Sequence, residues 1–114
     1  MADKIIIRKI PGTWSVRAGG AVLGETKNAM EMSEGDLPPI IFFPREDIAM
    51  AFLDRSEKTT HYPQRGDASY FSVVTKSTTL KDAVWSFEAP DETALAIKEH
   101  LAFKVGETIT VEST

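Results

Sequence analysis

Two short stretches hold the side chains best equipped for chemistry, PREDI at 44–48 and THYPQRGDASY at 60–70. In the first, a helix start would offer unpaired backbone N–H groups to an anion. Arg45 would add a planar guanidinium fork for phosphate or carboxylate, and Asp47 would orient an arginine or a histidine. In the second, His61 could exchange protons near neutral pH, Arg65 could hold an anion, and Gly66 would let the backbone approach a ligand closely. His61 and Asp47 are therefore the catalytic candidates. Arg45 and Arg65 are the ligand-binding candidates, with Tyr70 and Trp85 as a wall on which a ring could stack.

Each stretch also has a plainer reading. PREDI is what a helix start looks like when acids complement its dipole. Glu46 and Asp47 are adjacent, so on a helix they would point about 100° apart, a poor geometry for a shared metal. THYPQRGDASY can be a rigid turn from which Arg65 emerges into solvent, since Pro63 fixes one φ and biases Tyr62 toward extended backbone. Alternating aromatics in a hairpin, here Tyr70, Phe71, Trp85 and Phe87, are commonly cross-strand core pairs, which would bury Trp85 and Phe87. His100 falls in the last turn of a predicted helix, where a cation is favourable. Arg65-Gly66-Asp67 spells an adhesion tripeptide, which we read as coincidence.

Composition removes several function classes. The chain has no cysteine, so disulfides, thiolate nucleophiles and Cys-ligated metals are not available to it. With two histidines a histidine-rich metal site is not available either, and no metal or cofactor is assigned. A net charge of −4 argues against nucleic acid or anionic lipid as the main partner. The apolar runs fall far short of the roughly 20 residues that span a bilayer, and the expectation is a soluble, cytoplasmic protein. The P-loop, dinucleotide-binding, zincin and G-x-S-x-G patterns are all missing. At 114 residues the chain fits one domain, 1–114, with a homo-oligomer left open.

The elements that must position these residues read as α+β, mainly β, with about six antiparallel strands and two short helices. KIIIRKI, residues 4–10, is a β-branched strand stopped by Pro11-Gly12. TWSVRAGGAVLG reads as a hairpin with Trp14, Val16 and Ala18 on one face and a Gly19-Gly20 turn. NAMEM continues that strand or starts another, and IIFF is a buried strand ended by Pro44. Residues 44–53 are predicted as a helix with Ile48, Ala51 and Phe52 on one side. DRSEKTTHYPQRGD has no period and reads as an exposed connection of about a dozen residues. ASYFSVVT and DAVWSFEA form a second hairpin. Asp91 caps a second helix lined by Ala94, Ile97 and Leu101, and TITVES is a last strand.

At PPIIFFPREDI, THYPQRGDASYFSV and DAVWSFEAP the chain resembles a small bacterial family catalogued as domain of unknown function 427. Members read F-P-R-E-D after a strand, then T-x-C-P-x-K-G before an aromatic strand, then A-W-S. The flanks, from KIIIRKI through the Gly19-Gly20 turn to HLAFK, are similar as well. The resemblance implies a small β-rich domain that often stands alone, sometimes filed under a nucleotidyltransferase heading that supplies no residue roles. Nucleotidyl transfer generally wants two or three carboxylates around magnesium, and only Glu46, Asp47 and Asp67 could be assembled. This chain has Tyr62 where the family has cysteine and Arg65 where it has lysine. Family chemistry that needed the thiol cannot operate here; chemistry that needed only the cation could.

Two functions follow. In one, PREDI and HYPQRG converge on a small anionic ligand, nucleotide-like in the family's sense. In the other, the chain is a non-catalytic interaction module or homo-oligomer that uses a strand edge. Convergence of Arg45, His61 and Arg65 on one concavity favours the first; pairing of those groups with surface acids favours the second.

Overall fold

The structure is a computed structural model and describes residues 4–113. It is mainly β, with ten strands in three antiparallel sheets. The strands are β1 (Ile5–Lys9), β2 (Trp14–Ala18), β3 (Ala21–Thr26), β4 (Met30–Glu34), β5 (Ile40–Phe42), β6 (Leu53–Tyr62), β7 (Gly66–Val74), β8 (Thr79–Phe87), β9 (Leu101–Phe103) and β10 (Ile109–Ser113). One sheet runs β1-β4-β5, a second β10-β2-β3 and a third β6-β7-β8-β9. Phe43 and Leu101 exchange both backbone hydrogen bonds at 2.8 Å, so β5 continues the first sheet onto β9 of the third.

The β7–β8 hairpin is apolar on both faces, and this places it between two hydrophobic clusters. Phe71, Val73 and Val84 pack with Val16, Ala18 and Leu23 of the second sheet, together with Phe43 and Leu101. Ala68, Tyr70 and Phe87 pack instead with Met32 and Phe42 of the first sheet, and with Ala94 and Ile97. A strand buried on both sides reads as a continuous apolar run rather than an alternating one, as AVWSF does.

Neither predicted helix forms as an α-helix; only 3-10 turns occur, at Arg45–Asp47, Met50–Phe52 and Glu92–Ile97. The reason lies in competing backbone bonds. The Ala49 N–H, which would donate to Arg45 O in an α-helix, donates to Leu23 O of β3 at 2.8 Å. Ile48 then forms a bridge with Gly24. Later in the chain the Glu99 N–H donates to Phe87 O at 3.0 Å, which pulls that segment onto β8. Ala94 and Ile97 are buried as expected, but Leu101 belongs to β9. His100 consequently lies in a connection, its Nδ1 3.0 Å from Lys98 O.

The predicted exposed connection is also largely strand. Leu53–Tyr62 forms β6, the ten-residue edge of the third sheet, and the true turn is only Pro63-Gln64-Arg65. The Arg65 N–H donates to Tyr62 O at 3.2 Å, with Pro63 second and Gln64 third at φ +68°, the pattern of a type II turn.

Candidate functional site

Arg45 follows β5 and reaches back across β8. Its Nη1 donates to Glu88 at 3.1 Å, its Nη2 to Ser86 Oγ at 3.1 Å and its Nε to Glu99 O at 3.1 Å. Arg55 on β6 grips the same Glu88 carboxylate through two bonds of 3.0 and 2.6 Å. Both guanidinium groups lie over the Phe71 ring, at 5.5 and 4.9 Å from its centroid. The Arg55 bonds, and secondarily those from Arg45, hold the Glu88 carboxyl below the usual carboxylate range. This cluster ties the post-β5 turn, β6 and β8 together, and each of the three guanidinium nitrogens of Arg45 already donates to a protein acceptor.

Arg65 does not emerge into solvent. Its side chain, 13% exposed, folds back onto Glu34 of β4 as an ion pair and lies over the Tyr62 ring, 5.4 Å from the centroid. Its Nε is buried with no hydrogen-bond partner. Tyr62 packs edge-on against Phe87, and its hydroxyl lies 3.2 Å from that of Tyr70. That hydrogen bond, with burial, raises the Tyr62 phenol above its ordinary value. Tyr62 is thus partly buried, and Tyr70 is buried beside it with Lys58 Nζ 4.6 Å from its ring centroid.

His61 and Asp67 face each other across β6 and β7, Nδ1 to Oδ1 at 2.7 Å, both largely in solvent. Asp47 accepts a 2.7 Å hydrogen bond from Thr26 Oγ1, which in turn accepts from the Asn28 N–H at 2.9 Å. Arg45, His61 and Arg65 are each paired to a different carboxylate, and none of them lines the apolar cleft described next. Among the described residues, no three His, Asp or Glu side chains group as a metal site. A three-residue 3-10 turn also lacks the aligned N–H groups that an anion site at PREDI would have used.

An apolar cleft of about 390 Å³ lies where the sheets meet. Trp14 opens β2 and Trp85 sits in β8; both line it, with Pro38, Pro39, Ile40 and Ile41 leading into β5. Phe103, Lys104, Val105 and Val111 complete the wall. Trp14 is held in place because its indole N–H donates to Pro11 O at 3.2 Å. Trp85 is half-buried rather than core like Phe87, and its side chain makes no hydrogen bond to the described protein. Lys104 is exposed and forms no ion pair among the described residues. Its backbone is fixed by donation to Ala83 O at 2.8 Å.

Of the sequence-predicted site residues, only Trp85 lines this cleft. Trp14 and Lys104 were passed over because nothing local marks them. The Pro38-Pro39 pair before IIFF was the one available signal of a rigid wall.

Three antiparallel sheets around a doubly buried hairpin, with an apolar cleft at their junction, define a small, mainly β domain. The chain belongs to the family described as a domain of unknown function (DUF427), whose model matches residues 6–113. No curated protein matches the chain.

Proposed function

We propose that the chain is a binding domain for a small anionic molecule with an apolar body, held in the Trp14–Trp85 cleft. The observation that carries this reading is the cleft itself. Its size falls within the usual range for small-molecule sites, about 300 to 1,000 Å³. Its walls are tryptophan, proline and branched aliphatic side chains, and Lys104 is its one charged group. Such a site supplies affinity through apolar contact and orientation through a few polar groups. The anionic ligand expected from PREDI and HYPQRG is thereby moved to a different place in the fold, because the arginines there are already engaged.

A thermal-shift screen of small carboxylates, sulfonates, sugar phosphates and nucleotides tests this, since a ligand at 100 times its Kd adds about 2.7 kcal/mol. Val105 lines the cleft yet is 63% exposed, so Val105→Glu should leave the melting temperature of the free protein in place. The proposal expects anionic hits in the wild type that vanish in Val105→Glu. Hits that persist in that variant and are lost in Arg65→Ala would return the site to the turn.

One observation favours the second reading, an interaction module or homo-oligomer. β10 is a sheet edge, and Gly19 N–H donates to Thr108 O, so the alternation of the antiparallel ladder turns Val111 and Ser113 N–H and C=O outward. That edge carries a single charged residue, Glu112, whereas the β6 edge is guarded by Asp54, Arg55, Glu57 and Lys58. Sedimentation equilibrium, comparing the wild type with Val111→Pro, shows whether copies pair there: a monomeric wild type removes the self-pairing form of this reading.

A further inference from the structure

The charge count inside the cleft specifies the ligand class further, an inference that rests on the cleft being the binding site. Ten residues line it, and Lys104 is the only one with a charge. Within this lining no carboxylate offsets Lys104 and no second cation receives a second negative charge; Lys81 and Glu107 accompany Lys104 only in the adjoining pocket that it also borders. Arg45, Arg55 and Arg65 are paired with Glu88 and Glu34, and Arg8 with Glu31; neither they nor Arg17 line the cleft. One ammonium against an apolar wall matches one negative charge. Each further charge would lose hydration on entering without gaining a partner. Indole and prolyl faces also favour flat, polarisable rings over flexible chains, because ring contacts add to simple area burial.

We infer that the cleft takes aromatic monoanions, such as an arylcarboxylate or arylsulfonate, and discriminates against nucleoside polyphosphates and other multiply charged ligands. The family's nucleotidyltransferase heading would call for the reverse preference.

Isothermal titration of the intact chain with three probes of one shape tests this: 2-naphthamide, 2-naphthoate and 2-naphthyl phosphate, at pH 8, with ATP as a fourth ligand. The naphthoate should bind about tenfold more tightly than the amide, as a partly desolvated single ion pair allows. The phosphate should bind no better than the naphthoate, and ATP should not bind detectably. In Lys104→Gln the amide should keep its affinity while the tenfold preference for the carboxylate disappears. Lys104 is exposed and has no ion pair among the described residues, so this variant is expected to fold normally. The charge inference is overturned if amide and carboxylate bind equally in the wild type, if their ratio survives Lys104→Gln, or if the phosphate or ATP binds most tightly. Failure of all four ligands to bind would overturn the cleft as a ligand site, and this inference with it.

Discussion

Replacing Glu88 with glutamine isolates the electrostatic part of the junction between the post-β5 turn, β6 and β8. The carboxylate accepts from Arg45 at 3.1 Å and twice from Arg55, and the Glu88 and Arg45 side chains are each 28% exposed. A hydrogen bond to a charged group contributes about 1.5 to 3 kcal/mol when shielded. The Arg55 side chain is 53% exposed, so solvent screening leaves its share at about 0.5 kcal/mol. Glu88→Gln should therefore destabilise by about 2 kcal/mol at pH 7, a drop in Tm of about 8 °C for a domain of this size. The dependence on pH is the sharper test. A carboxyl whose folded pKa is depressed contributes fully above its unfolded value of about 4.3, and the contribution is lost as pH falls through the folded value. Urea melts of wild type and variant at pH 7, 5 and 3 should show the gap intact at 7 and 5 and narrowing at 3. A gap that is the same at all three values, or smaller than about 0.5 kcal/mol at pH 7, would refute the role given to Glu88.

Phe87 is completely buried against Phe42 and Tyr62, so Phe87→Ala should cost about 3 to 5 kcal/mol in urea melts, and a cost below about 1 would contradict the packing described. A Cβ at Gly24 would lie 2.5 Å from both Asp47 O and Ile48 Cδ1; Gly24→Ala should destabilise by about 1 to 3 kcal/mol, where an exposed strand glycine would gain from the change. Arg65→Ala leaves Glu34 half-buried without its cation, and should lower stability by about 2 to 3 kcal/mol rather than behave as a neutral surface change. His61→Ala removes an exposed pair and should stay within about 0.5 kcal/mol of wild type by the same melts.

The sequence made much of the β framework legible because turn chemistry is local. Gly19-Gly20 does turn β2 into β3, β7 and β8 do form a hairpin, and TITVES does close the chain as β10. The misses have a common physical cause in long-range backbone bonding. β6 packs one edge and little surface and carries Asp54, Arg55, Glu57 and Lys58 in its first half, so it lacks the alternation that marks a half-buried strand. The residues after Pro44 have a helix-like period, but β3 claims the Ala49 N–H and the period goes unused. The same limit applies to the site. Arg45 and Arg65 have the right chemistry for an anion, yet Glu88, just past β8, and Glu34 of β4 reach them from 43 and 31 residues away in sequence. Trp14 and Lys104 look ordinary in sequence and become a cleft only when β2, β8 and the segment after β9 meet.

The central claim is a matter of location, and backbone and indole NMR reads location directly. The chain has two tryptophans, Trp14 and Trp85, and both line the cleft, so a ¹⁵N-labelled sample gives two indole N–H signals that report on it. On titration with 2-naphthoate, both indole signals and the amides of Ile40, Ile41, Lys104 and Val105 should shift saturably, while those of Arg45 and of residues 61–67 stay in place. Saturable shifts confined to Arg45 and residues 61–67, with the two indoles unmoved, would contradict the account.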